Sequence, residues 1–167
     1  MIFPTTIQKQ LFCVLLLVLT STGIYFNSLK GSFQFDDVPL ISSPWIKNLD
    51  SFNRFVKITS FQNRPVLLWT YALNNTLGKN KEFGFHLFNL LLHIGVTLLI
   101  FLSVLKTCSF IRGRNNTKNR FVGKDNVTNV LLFPLITALI FSLHPLNTDS
   151  VAYISSRSSL LATFFYL

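Results

Sequence analysis

The sequence predicts an all-α membrane protein built as a multi-pass helical bundle, and three observations support this prediction. Half of the 167 residues are apolar and 13% are charged, whereas a soluble domain has about 25% charged residues. Several charge-free stretches approach the roughly 20 residues that a spanning helix needs. The net charge is +9, with basic residues concentrated in one segment, as is typical beside a membrane. These figures exclude a disordered chain, and the two cysteines exclude a disulfide-built domain.

Charge-free windows predict where the chain crosses the membrane. We expect spans at about residues 10–28, 83–105 and 127–144, and a fourth from 158 onward. The first window would also suit a cleaved signal peptide, but its long apolar core and the lack of a small-x-small site favour an uncleaved helix. The fourth window stops after half a span. We therefore expect residues 1–167 to be the N-terminal portion of one membrane domain, inactive alone.

The loops predict the orientation of the spans. Residues 106–126 form a basic loop, whereas the longer segment 29–82 mixes basic and acidic residues. Positive charge density places the basic loop in the cytoplasm, together with the N-terminus. A membrane anchor explains this basic loop better than a nucleic-acid site, so we expect the lipid bilayer and no nucleic acid as partner. The basic residues of this loop are Lys106, Arg112, Arg114, Lys118, Arg120 and Lys124.

The long outer loop, residues 29–82, predicts two amphipathic helices that lie in the membrane surface. NLDSFNRFVKI places apolar residues at helical spacing, with Asp50 or Ser51 as the N-cap. In NRPVLLWTYALNNTLG, Asn63 is the cap candidate, Pro65 falls in the first turn, and Gly78 ends the helix. We expect three aromatic residues at headgroup depth, namely Trp45, Trp69 and Tyr71.

Polar residues of the predicted spans and loops converge on the outer face. His86, Asn89 and His93 share one face of the second span because they are three and four residues apart. Each polar residue also has a structural interpretation: a solvated turn, a hydrogen bond between helices, a cap or a snorkelling arginine. No HxxxH or HxH pair occurs, so the spacing predicts no metal site. The candidate functional residues are Asp36, Asp37, Arg64, His86, His144, Asp149 and Arg157.

Four strings together resemble a known family. YFNSLKGSFQFDDVPLI, RPVLLWTYALN, GFHLFNLLLH and LHPLNTDSVAYISSRSSLLA are similar to the transmembrane and tetratricopeptide-repeat O-mannosyltransferases and their bacterial relatives. That family belongs to the GT-C superfamily of polyprenyl-phosphate-sugar-dependent glycosyltransferases. The resemblance covers residues 20–105 and 130–167, with the basic loop as a variable gap. Asp149 stands where the family more often has Glu, which shortens the side chain by one methylene.

The resemblance implies an enzyme that moves a sugar, mannose among the candidates, from a polyprenyl-phosphate donor to a hydroxyl on a protein or glycan. It implies a multi-pass protein of the bacterial inner membrane or the endoplasmic reticulum. Asp36 matches the family's base, with Asp37 as its partner or alternative. The superfamily has members with and without a divalent cation, so the resemblance leaves that cofactor open.

The remaining candidates are assigned by position and charge. Arg64 and Arg157 suit the leaving phosphate, because cations at a cavity wall stabilise developing negative charge. His144 would donate a hydrogen bond or a proton, and His86 would orient the outer loop or touch the phosphate. Asp149 is expected among the residues of the same substrate and phosphate site. We expect no metal ligand among these residues.

Two other functions are compatible with parts of the sequence. A transporter or flippase would use the intramembrane histidines as a proton relay, but the acidic pair outside the spans fits this function poorly. A catalytically silent anchor for downstream repeats would leave the polar residues purely structural.

Overall fold

The computed structural model describes residues 6–58, 64–78, 81–116 and 127–167. These residues contain helices and connecting turns and no strand. The long helices are α1 (Thr6–Tyr25), α5 (Glu82–Asn116) and α6 (Val127–Leu143). The shorter helices are α2 (Asp37–Ile41), α3 (Leu49–Ile58), α4 (Pro65–Gly78), α7 (Asn147–Ala152) and α8 (Arg157–Tyr166), with 3-10 turns at Phe26–Lys30, Pro44–Ile46 and Ile154–Ser156.

Two described segments, Ile7–Lys30 and Glu82–Arg114, are helical, long and apolar enough to cross a membrane. Helix α6 contains the shorter apolar stretch Val130–Leu143 and continues through Pro134. A membrane protein with an all-helical fold is therefore supported. The third span predicted at α6 stays a prediction. Proline inside a membrane helix is tolerated in general, because neighbouring helices or side chains can satisfy the carbonyl that it frees.

Helices α1, α5 and α6 pack together around a dry apolar core. Buried residues from all three helices form this core, namely Cys13, Leu17, Phe101, Leu131 and Ala138. Nearer the ends that carry the short helices, the three helices also share polar contacts. The Ser21 and Ser142 hydroxyls lie 2.7 Å apart, and the Tyr25 hydroxyl and the His93 Nε2 both donate to the Ser142 carbonyl, at 3.2 and 3.3 Å.

The outer loop folds onto one end of this bundle. Both predicted helices are present as α3 and α4, and α4 begins at Pro65 and ends at Gly78 as expected. The predicted N-cap of α3 is wrong: Asn48 Oδ1 accepts the Ser51 N–H at 2.7 Å, because the helix begins earlier, at Leu49. The cap candidate Asn63 lies outside the described residues.

Helices α3 and α4 each contribute buried residues to the protein core. Phe52, Tyr71 and Phe85 join one buried cluster that links the outer loop to α5. Tyr71 is therefore buried inside this cluster, whereas Trp45 and Trp69 are about half exposed, and their position at headgroup depth stays a prediction. Leu49 and Phe52 of α3 pack inside the protein, whereas Val56 on the same helix is exposed. Sequence periodicity does not distinguish packing inside the protein from packing against lipid.

Helix α5 extends into the segment predicted as a basic loop. It continues without a break past Lys106 to Asn116. At about 1.5 Å per residue, its 35 residues span about 52 Å, well beyond a hydrocarbon core of about 30 Å. The basic residues from Lys106 onward mark the end of the apolar stretch, but α5 continues through them.

Candidate functional site

The acidic pair lies in a tight turn at the bundle end. The Asp37 N–H donates to the Gln34 carbonyl at 2.8 Å, and the Gln34 N–H donates to Asp37 Oδ2 at 3.2 Å. Between them Phe35 has a φ of 42°, the one positive φ among the described non-glycine residues. Asp36 follows as the residue before α2. The turn fixes the two carboxylates in different surroundings.

Asp37 is buried and fully engaged. Its Oδ1 accepts hydrogen bonds from the Ser155 N–H at 2.8 Å and the Ser155 hydroxyl at 2.7 Å, while Oδ2 accepts from Gln34. The side chain is 1% exposed. Asp37 therefore ties the turn to the segment that leads into α8, and it has no surface to offer to a substrate.

Asp36 is exposed and lines a cavity of about 380 Å³. Arg64, at the start of α4, is exposed and lines the same cavity. Tyr71 and Ser155 contribute to its wall, together with three leucines, Leu40, Leu67 and Leu68. The cavity thus brings one accessible carboxylate and one cation together, which suits a proton transfer beside an anion.

A second, largely apolar groove of about 510 Å³ shares Arg64 and Leu67 with this cavity. It runs between α4 and α8, and its wall includes Val66, Leu161 and Phe165. The apolar residues can accommodate a hydrocarbon chain, and the arginine at the junction can bind an anionic group at the end of that chain.

Arg157 is fully buried behind the cavity. Its Nε donates to Asn89 Oδ1 at 2.7 Å, Nη1 to Asn74 Oδ1 at 2.8 Å and Thr70 Oγ1 at 3.3 Å, and Nη2 to the Phe85 carbonyl at 3.1 Å. Burial lowers the pKa of Arg157 to about 10, so the guanidinium remains cationic near neutral pH. It joins α4, α5 and α8 and has at most one N–H left for a ligand.

Tyr71 lies between Arg157 and the cavity. The guanidinium carbon is 4.5 Å from the Tyr71 ring centroid, which is a cation–π distance, and the Tyr71 hydroxyl donates to the Ile154 carbonyl at 2.9 Å. Burial raises the pKa of Tyr71 to about 12, so its hydroxyl stays protonated as a donor. Tyr71 thus fixes the turn before α8 at the cavity wall.

His86 holds the start of the outer loop. Its Nε2 donates to the Gly31 carbonyl at 3.1 Å, and the ring is buried. A Cβ at position 31 would lie 3.1 Å from this nitrogen, so any larger residue would have to displace the ring or the loop by a few tenths of an ångström. The contact fastens the outer loop to α5, and the role expected for His86 in the site stays a prediction.

His144 and Asp149 lie in the exposed turn and helix after α6. The Leu146 N–H donates to His144 Nδ1 at 3.2 Å, and the Ser156 hydroxyl donates to Asp149 Oδ2 at 3.0 Å. Both side chains are exposed. The cavity wall that contains Asp36 and Arg64 includes neither of them.

The structure brings the predicted residues to one end of the bundle, but some of them are exposed and others are buried. Asp36 and Arg64 share the cavity, Asp37 and Arg157 are buried behind it, and His86 fastens the loop. Sequence reasoning missed Ser155 and assigned Tyr71 to the membrane interface. In the part of the chain described by the structure, no three histidine, cysteine, aspartate or glutamate residues group to hold a metal ion.

Comparison with known proteins identifies relatives along nearly the whole chain. Protein O-mannosyl-transferase TMTC3 of Homo sapiens is 31% identical over 92% of the chain, which covers 16% of that relative. Tmtc3 of Drosophila melanogaster is 27% identical over 96% of the chain and 19% of the relative. TMTC4 of Homo sapiens is 28% identical over 99% of the chain and 23% of the relative. The chain thus spans about a sixth to a quarter of the length of these relatives.

No protein-family model matches the chain. No solved structure matches it either. All three relatives are named protein O-mannosyl-transferase TMTC. This is the family that the FDD and HPLNTD motifs of the sequence resemble. The chain is therefore similar, over most of its own length, to the TMTC protein O-mannosyl-transferases.

Proposed function

We propose that this chain supplies the acceptor-activating part of a membrane O-mannosyl-transferase. The whole protein would transfer a sugar, mannose by the names of its relatives, from polyprenyl phosphate to a hydroxyl on a protein acceptor. One observation carries this proposal: the cavity that holds exposed Asp36 and Arg64 shares Arg64 and Leu67 with an adjacent apolar groove. A lipid phosphate has the matching chemistry, with an apolar chain that ends in an anion.

In this mechanism Asp36 accepts the proton of the acceptor hydroxyl. The hydroxyl oxygen then forms a bond to the anomeric carbon of the sugar, with inversion, while the bond from that carbon to the phosphate oxygen breaks. The lipid phosphate leaves with the electron pair, and the Arg64 guanidinium stabilises its charge. The polyprenyl chain lies in the groove between α4 and α8.

The other candidates take supporting roles in this proposal. Asp37, Arg157 and His86 are positioning residues, because their polar atoms are engaged within the chain. His144 and Asp149 lie at the same bundle end but outside the cavity. Their exposed side chains remain available to other parts of the whole enzyme. The proposal includes the GT-C-like multi-pass bundle, the repeat domain that follows in this family, and a lumenal or periplasmic site.

A transporter is less well supported by the same contacts. The ring of His93 is fully buried, stacks on Phe141 at 5.6 Å between centroids, and meets the edge of Tyr25 at 5.0 Å. A proton relay needs a chain of polar partners or water beyond such a ring. The packing of His93 therefore favours a structural contact between helices.

The function is tested on the full-length protein in proteoliposomes that contain radiolabelled polyprenyl-phosphate mannose and an acceptor peptide. We expect labelled peptide from the wild type, and a rise of about tenfold or more in donor KM for Arg64→Gln, because the phosphate loses a charged partner. Arg54→Gln, an exposed arginine on α3, is the matched control and should leave donor KM unchanged. Absence of transfer by folded wild-type protein, with this donor, rejects the proposed function.

The proposed topology makes a separate prediction. His86 and Cys108 are 22 residues apart on α5, or about 33 Å at 1.5 Å per residue, so the turn at Phe35 and Cys108 should face opposite sides of the membrane. In microsomes, an impermeant maleimide should label Phe35→Cys only after the lumen is opened, in an otherwise cysteine-free full-length protein. Cys108 retained alone should react in sealed microsomes. Equal accessibility of the two positions would contradict a spanning α5.

A further inference from the structure

Phe35 is the residue of the turn that neither the fold nor the proposed reaction explains. Its φ of 42° lies in the left-handed region, which glycine adopts freely and a phenylalanine adopts only at a cost in free energy. Strained positions of this kind are retained where the surrounding structure enforces them, and they cluster at functional sites. A function of the Phe35 side chain would explain why phenylalanine, and not glycine, occupies this position.

The turn holds Phe35 in this conformation. The two hydrogen bonds between Gln34 and Asp37 close the loop on either side of it, and the two bonds from Ser155 to Asp37 fasten the loop to the bundle end. Phe35 and Asp36 are the two residues between these anchors. The anchored turn thus presents both side chains from a fixed base.

The Phe35 ring contributes little to the packing of the chain. It is 87% exposed, whereas Asp36 next to it lines the cavity. An exposed aromatic ring gains little from burial, so neither the backbone nor the side chain of Phe35 stabilises the described fold. A binding partner that covers the ring would supply the free energy of apolar burial that the chain itself does not provide.

We propose that Phe35 is a specificity-determining residue that packs against an apolar side chain of the acceptor polypeptide. This inference rests on the proposed function. The base must contact the acceptor hydroxyl, so the residue beside Asp36 on the same rigid turn lies next to the acceptor. The lipid donor has its own apolar groove on the Arg64 side, between α4 and α8, and does not need Phe35.

The test compares Phe35→Ala, Phe35→Gly and Phe35→Tyr in the full-length protein, with initial rates measured against both substrates. We expect Phe35→Ala and Phe35→Gly to raise the KM for an acceptor peptide with an apolar residue beside its serine about tenfold. Donor KM and kcat should stay within about twofold, and Phe35→Tyr should retain the wild-type KM. Leu146→Ala, an exposed apolar residue of the α6–α7 turn, is the matched control.

A peptide in which the apolar neighbour is replaced by glycine completes the test. Its KM should be as high with the wild type as with Phe35→Ala. The inference is overturned if Phe35→Ala leaves acceptor KM unchanged, if it raises donor KM instead, or if a glycan acceptor shows the same dependence as the peptide. A clear fall in melting temperature for Phe35→Ala would assign the ring to internal packing. Loss of transfer by the wild type would reject the proposed function, which is a distinct outcome.

Discussion

Replacing Asp36 by Asn should reduce sugar transfer by the full-length enzyme by a factor of between about 10² and 10⁴. The amide cannot accept the acceptor's proton, while its size and shape leave the cavity unchanged. The exposed position of Asp36 means that folding does not depend on it, so yield and melting temperature should match the wild type. The measurement is the initial rate of labelled-peptide formation at saturating donor.

Two further variants show whether this loss is specific to Asp36. Asp50→Asn alters an exposed carboxylate in the first turn of α3 and should transfer sugar at the wild-type rate. Asp37→Ala removes the acceptor of both Ser155 hydrogen bonds, so it should lower melting temperature as well as rate. If Asp36→Asn folds and transfers within twofold of the wild type, Asp36 is not the base.

Replacing Arg157 by Leu should unfold the bundle end. The change removes the Arg157 donor from buried oxygens of Asn74, Asn89 and Phe85, at a cost of about 1–3 kcal/mol for each oxygen left unsatisfied. Arg157→Lys should rescue little, because one ammonium group cannot replace Nε and both Nη atoms. Melting temperature and monodisperse yield in detergent measure the effect.

The same experiment distinguishes a positioning role from a binding role for Arg157. Arg54→Leu, on the exposed side of α3, is the control and should keep the melting temperature of the wild type. A well-folded Arg157→Leu protein with wild-type melting temperature and a raised donor KM would contradict the positioning role. That result would instead support a direct contact between Arg157 and the donor phosphate.

The local elements of this protein could be predicted from the sequence with few errors. The long apolar helices, the helices at 49–58 and 65–78 and the shared face of His86 and His93 all follow from periodicity and charge-free windows, which are properties of neighbouring residues. The end of α5 was predicted less well, because a basic segment is equally compatible with a helix that projects from the membrane. The N-cap of α3 differed by a few residues, as helix ends often do.

The roles within the candidate site could be predicted only in part. Asp36 and Asp37 are adjacent and chemically identical, and only the bond from Ser155, 118 residues away, makes one of them structural and leaves the other accessible. The positive charge of Arg157 suggests that it binds phosphate. In the structure, however, its N–H groups donate to side chains of α4 and α5.

The order of apolar and charged residues by itself determined that this chain is helical, that it belongs in a membrane, and that its polar groups gather at one end. The tertiary structure decided which of those groups meets a substrate. The physical reason is that exposure and hydrogen-bond partners depend on contacts between segments far apart in the chain, whereas helix formation and membrane affinity depend on residues within a few turns of each other.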